Sequence, residues 1–164
     1  MDKKRIQDSA VFMSSISMPT DANNAGNVHG GVIMKMIDNA ASVVGFKHAG
    51  TNVVTASIDR ISFHNPVFIG EVISLRAGIN LTGSSSMEIG VRVEAENVFT
   101  REIKHIASAY LTFVALDQDG KPCKVPGLIL ETADEKRRNA EANDRKKVRM
   151  DERKKEEKHQ KIKS

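Results

Sequence analysis

PTDANNAGNVHGGVIMKMID, residues 19–38, runs from an Asn-rich turn through a Gly-Gly pair into a helix with a single carboxylate. Asp21 to Asn27 carries the turn chemistry, since Asn, Asp and Gly bend the backbone and bond to it locally. From Gly31 to about Gly45, Ile33, Met36, Ile37, Ala40, Ala41 and Val44 recur every three or four residues, which places them on one face of a largely buried helix. Glycines at a helix entrance let a ligand approach the backbone closely. First-turn amides lack intrahelical acceptors, so the N–H groups near Gly30 and Gly31 are expected to point outward and to suit a developing oxyanion.

Outward from this stretch the chain reads as strands. Residues 11–18, VFMSSISM, supply a first strand that ends near Pro19. Residues 52–64 are rich in Val, Thr and Ile, but their alternation slips by one near Asp59 and Arg60, which predicts a bulge. Ile73, Leu75, Ala77, Ile79 and Leu81 alternate cleanly, TGSSS at 82–86 makes a hairpin, and Met87, Ile89, Val91, Val93 and Ala95 alternate again. Glu88, Arg92, Glu94 and Glu96 fall on the opposite face of that strand and are expected to meet water. In residues 106–116 both faces are apolar enough to be buried. One early strand, one long helix and four later antiparallel strands, in the order β-α-β-β-β-β, predict an α+β domain whose sheet curls around the helix.

With 164 residues, one domain with a substantial core is expected. No apolar run approaches the length of a membrane span, and no secretory signal follows the basic start MDKKRIQDSA, so a cytoplasmic protein is expected. The single Cys123 forms no internal disulfide and agrees with that placement. The net charge of +4 is unevenly distributed. Residues 131–164 hold 13 Lys or Arg and 9 Asp or Glu, which leaves 12 of each sign in residues 1–130. A formally neutral body with a basic, aromatic-poor tail is a poor nucleic-acid binder, and none is expected as a partner. The tail pairs Asp134/Arg138, Glu141/Arg145, Asp151/Lys155 and Glu157/Lys161 favour helix.

Asp38 lies well inside the helix, where no capping role explains it. A partly desolvated carboxylate there can act as base or nucleophile, although a solvated carboxylate paired with Lys35 satisfies the pattern equally. Asn23 and Asn24 suit a turn for local reasons, and either amide could also polarise a carbonyl or orient water. His29, just before the glycines, is a further candidate. Cys123 lies between Lys121 and Lys124 but has no histidine nearby in sequence. No H-x-x-x-H spacing, nucleotide-binding glycine motif or G-x-S-x-G elbow is present, and no metal site is indicated.

Three motifs in order, N-x-A-G-N-V-H-G-G-V-I-M-K-M-I-D, V-V-T-A-S-I-D-R-I-S-F-H-N-P-V and T-G-S-S-S-M-E-I-G-V, resemble the hotdog-fold acyl-coenzyme A thioesterases of the cytosolic acyl-CoA hydrolase type. The resemblance covers residues 8–126 and leaves 127–164 as a charged helical or disordered tail. It implies an antiparallel sheet wrapped around one central helix, hydrolysis of fatty acyl-CoA to free acid and CoA without a cofactor, and a site at a homodimer interface, with a hexamer of three dimers as a further assembly. It implies Asp38 and Asn23 as catalytic residues, and Gly30, Gly31 and His29 around the thioester. For the CoA arm it implies Val54, Thr55, Ala56 and Ser57, with Ser84, Ser85 and Ser86 farther along. A non-catalytic acyl-CoA-binding regulator of the same fold is the alternative; the presence of Asp38 favours the hydrolase, and the histidine motif of the hotdog dehydratases is missing.

Overall fold

The computed structural model describes residues 2–163, with side chains described through residue 158. The chain divides into two compact units, residues 1–129 and residues 130–164. In chain order the elements are β1 (Lys4–Arg5), β2 (Val11–Ile16), α1 (Gly30–Ala49), β3 (Asn52–Phe63), β4 (Val72–Thr82), β5 (Ser86–Glu96), β6 (Ile103–Leu116), β7 (Leu128–Ile129) and α2 (Ala133–Lys163), with short 3-10 turns at Ile6–Asp8 and Pro19–Asp21.

Helix α1 begins where the His29 imidazole caps it and ends where Gly50 turns left-handed at φ 69°, a conformation that favours glycine; Gly50 N–H donates to the Phe46 carbonyl. The ammonium of Lys4 donates to the carbonyls of Lys47 and His48, satisfying the last turn from outside the helix. Ile33, Ile37, Ala40, Ala41, Val44, Gly45 and His48 form its buried face, as the three- and four-residue spacing requires. Met36 is only half-buried at the margin of that face, and the helix runs four residues beyond the predicted end.

The five-stranded sheet has the order β2-β4-β5-β6-β3, antiparallel throughout, and α1 packs against it. Strand β3 therefore lies at an edge. The slip at Asp59 and Arg60 appears as a register shift between Ile58 and Arg60, and a second occurs between Thr55 and Ser57. At Gly45 a side chain would approach the Val53 methyl to 3.1 Å, so the absence of one lets the helix lie close to the start of β3.

Two expectations about exposure need correction. Glu88 is buried at 2% exposure, and Asn80 Nδ2 lies 3.4 Å from its Oε1; alternation had assigned its face correctly but not its access to water. In β6 Ile106 and the face of Ala107, Ala109, Leu111, Phe113 and Ala115 are fully buried, while Ser108, Tyr110, Thr112, Val114 and Leu116 are half-buried. Sheet β1-β7 is a two-residue parallel pairing that extends the first unit to residue 129.

The second unit is mainly α2. It opens with a capping box in which Thr132 Oγ1 accepts from Glu135 N–H, and Glu135 Oε2 accepts from the N–H groups of Glu131 and Thr132. Arg137 bridges Asp134 and Glu141, and Arg138 pairs with Asp134 as the spacing anticipates. The Lys161 side chain of the expected Glu157/Lys161 pair lies outside the described residues.

His48 sits at the junction of three segments of the first unit. Its fully buried ring donates from Nε2 to the Pro126 carbonyl at 2.9 Å, and Nδ1 lies 3.5 Å from Ser9 Oγ. Burial lowers its pKa below the usual histidine value against the opposing effect of the Pro126 bond, and Lys4 lowers it further. The unfolded chain therefore takes up a proton that the folded chain resists. Stability present above about pH 6.5 is lost as pH falls below it. Thermal denaturation from pH 7.5 to pH 5 should show a falling midpoint. His48→Gln should lower the midpoint at pH 7.5 but flatten part of the slope; His105, also depressed, contributes to the remainder.

Candidate active site

The segment before α1 is fixed by its own polar groups. Asp21 Oδ2 accepts from Met18 N–H at 2.8 Å, His29 N–H donates to the Asp21 carbonyl at 2.8 Å, and Val28 N–H donates to the Val67 carbonyl at 2.9 Å. Within the turn, Asn23 Oδ1 accepts from the N–H groups of Ala25 (2.9 Å) and Asn27 (3.2 Å). The carboxamide oxygen is thus engaged by its own loop. What Asn23 has left to offer a ligand is its Nδ2, a donor.

The two glycine amides do not behave alike. Gly31 N–H donates to His29 Nδ1 at 2.9 Å, so the imidazole takes up one of the expected outward donors, and a side chain at Gly31 would meet that ring at 3.0 Å. Gly30 N–H has no acceptor among the described residues. It lies on a cavity of about 340 Å³. Asn23, Asn27, His64 and Asn65 give that cavity a polar rim, while Val28, Ile33, Val67 and Ile106 form an apolar floor. The ring of Phe63 stands beside Gly30, its Cζ 3.8 Å from where a Cβ would be.

His64 was not anticipated as part of this surface, nor were Asn27, Phe63, Asn65 and Pro66. His64 stacks at a tilt on His105, with centroids 4.7 Å apart. Asn65 Nδ2 donates to the His105 carbonyl, and His105 Nε2 lies 2.9 Å from Ser108 Oγ. Burial holds the His105 pKa below the ordinary value, with Arg92 the next contributor. The available signal was the run FHNP at the end of a bulged strand.

Asp38 is not on this cavity. Its half-buried carboxylate accepts a hydrogen bond from Thr55 Oγ1 at 2.7 Å, and no ion pair with Lys35 forms among the described residues. Thr55 belongs to β3, so the edge strand orients the helical carboxylate and leaves Oδ2 open. Asp38 stands eight residues beyond Gly30, about 12 Å along the axis, and points well around the helix from it. Within one chain they do not converge on one carbonyl.

The remaining candidates lie at the far end of the sheet. Val54, Thr55 and Ala56 are exposed on β3, whereas Ser57 donates to Asp59 Oδ1 at 2.9 Å. Ser84 and Ser85 occupy the β4–β5 hairpin and accept, through their carbonyls, from Val125 and Ala115 N–H. Ser86 and Val54 flank Val114 on either side of β6, so the structure brings these two groups onto one row. Among the described residues no cluster of His, Cys, Asp or Glu could hold a metal ion, and no helix is long and apolar enough to cross a membrane.

Comparison with known proteins gives the same outline. The thioesterase superfamily profile matches residues 25–98. The cytosolic acyl coenzyme A thioester hydrolase of Rattus norvegicus is 45% identical over 129 residues, covering 77% of this chain but 34% of the relative; the chain spans about a third of that protein's length. Among solved structures, the acyl-CoA hydrolase of Staphylococcus aureus in complex with butyryl coenzyme A, coenzyme A and coenzyme A disulfide is 35% identical over 96% of both chains, with a TM-score of 0.89. It has also been solved with alanine in place of an aspartate, an asparagine and a threonine. An apo-hexameric acyl-CoA thioesterase is 34% identical, covering 93% of this chain and 97% of the other, with a TM-score of 0.90. An antiparallel sheet around one long helix, shared at this identity and nearly full coverage, makes the chain a hotdog-fold member of the thioesterase superfamily.

Proposed function

We propose that the protein hydrolyses acyl-CoA thioesters to free acid and CoA in a site built by two copies of the chain. The supporting observation is the separation within one chain of two complementary half-sites. Asn23 Nδ2 and Gly30 N–H are donors on one cavity, and Asp38, oriented by Thr55, is a base beside the open edge of β3.

Antiparallel pairing of β3 with its counterpart in a second copy brings these halves together. Gly30 lies next to Phe63, and Asp38 is bonded to Thr55. A two-fold axis near Asp59 sets Thr55 of one strand opposite Phe63 of the other. The carboxylate of one copy then faces the donors of the second. Exposed Val54, Ile58 and Phe63 on this strand give the pairing apolar area to bury.

In the proposed reaction the thioester carbonyl oxygen accepts from Gly30 N–H and Asn23 Nδ2. Asp38 Oδ2 removes a proton from water as its oxygen bonds to the carbonyl carbon, and the oxyanion forms against the two donors. The C–S bond then breaks, and the CoA thiolate takes the proton held by Asp38. No cofactor enters this balance. Pantetheine runs along Val54 to Ser57, with Ser84 to Ser86 toward the CoA end. The catalytic domain is residues 8–126, with 127–164 outside it, and the proposed compartment is the cytoplasm. In the Staphylococcus aureus protein the substituted asparagine, aspartate and threonine have the same sequence spacing as Asn23, Asp38 and Thr55 here, which supports the three assignments.

Incubation with acyl-CoAs and a thiol reagent should release free CoA continuously; saturable binding without release would instead identify a regulator. Thr55→Val keeps the side-chain shape but removes the donor to Asp38. It should lower kcat about tenfold with little change in KM, the loss expected for one hydrogen bond to a charged group.

A further inference from the structure

Gly30 and Ile33 stand one turn apart on α1, and both line the cavity. Helical side chains lean toward the N-terminus, so Ile33 covers the turn that presents the Gly30 amide. Ile33 is 2% exposed, and Val28, Val67 and Ile106, from three other segments, are buried beside the same space. An acyl chain whose carbonyl is held at Gly30 and Asn23 therefore runs into core side chains. The space beside these side chains limits its length.

The volume sets the scale. A cavity of about 150 Å³ accommodates a benzene ring, six carbons. Here about 340 Å³ must also admit the thioester at the mouth. That leaves room for roughly four to eight acyl carbons. Taking the thioesterase reading above as its basis, we infer that the substrates are short- to medium-chain esters, butanoyl- to octanoyl-CoA, and that Ile33 is the specificity-determining residue that stops the chain. Phe63, half exposed beside Gly30, lines the same cavity.

The test is kcat/KM for even-numbered acyl-CoAs from acetyl to palmitoyl, measured on the full chain and on Ile33→Val and Ile33→Ala. The parent should peak between butanoyl and octanoyl and fall about tenfold or more by palmitoyl. The optimum should move at least two carbons longer in Ile33→Ala, and in both variants the ratio of kcat/KM for the ester two carbons longer than the parent's optimum to kcat/KM at that optimum should rise, by less in Ile33→Val. Ile33→Val removes a single methylene and decides the matter if the alanine variant does not fold. A parent profile that rises to palmitoyl, or chain-length ratios unchanged from the parent in every folded variant, overturns the chain-length inference while hydrolysis itself stands. A folded parent that releases no CoA from any ester overturns the thioesterase reading, and this inference with it.

Discussion

Replacing Asp38 by alanine is expected to lower kcat for acyl-CoA hydrolysis by about a thousandfold, within the range that a positioned general base supplies. That factor corresponds to about 4 kcal/mol of barrier. KM should change little, because the cavity with Asn23 and Gly30 is separate from Asp38 and survives the substitution. Thr55 is exposed, so its hydroxyl finds water when its acceptor is removed and folding should be nearly unaffected. Thiol release and calorimetric titration with a slow substrate separate the two quantities. Equal turnover in Asp38→Ala and parent would discard Asp38 as the base; loss of binding together with turnover would make it a substrate contact instead.

The helix and the strands that lead to this expectation were legible because their patterns are local. Ile33, Ile37, Ala40, Ala41 and Val44 occupy one face by spacing alone, and the slip near Asp59 announced a bulge before any partner strand was known. Position in the sheet is a different kind of fact. Nothing in residues 52–63 states that β3 lies at an edge, because strand order depends on which long connections close, and that order gives the Asp38–Thr55 pair its open side. Glu88 illustrates the same limit: alternation assigns a face but not the solvent accessibility of that face.

The candidate site was half legible for a chemical reason. Asn23, Asp38 and the glycines stood out by residue type, but the roles of the two glycines were set apart by His29, which acts as a cap although Ser, Thr, Asp and Asn are the residues read that way. Likewise the Asn23 carboxamide could have offered either end to a ligand until its oxygen was found bonded to Ala25 and Asn27. Thr55 was expected against CoA, and its hydroxyl also donates to Asp38, a contact between residues seventeen positions apart that no local pattern encodes.

Mixing two inactive chains should restore activity. Asn23→Ala keeps Asp38, and Asp38→Ala keeps Asn23 and the Gly30 amide. If each site takes its donors from one copy and its carboxylate from the other, a heterodimer of the two contains one intact site and one doubly defective site. Equal amounts exchanged at random give heterodimers as half of all dimers, so the mixture should recover about a quarter of parental kcat per chain, from variants each reduced a hundredfold or more. Chains bearing different affinity tags, co-expressed and purified through both, should reach about half where the assembly is a dimer and stay near a quarter where three dimers assemble. The contrast with a site contained in one chain is sharp, because there every copy in the mixture carries a lesion and activity stays at the level of the separate variants. The twelve-ångström displacement of Asp38 from Gly30 along α1 makes recovery the expected result. A mixture that demonstrably exchanges subunits and still shows no gain would require the carboxylate and the donors to be reunited within one chain, and the pairing of β3 across a two-fold axis would have to be abandoned as the basis of the site.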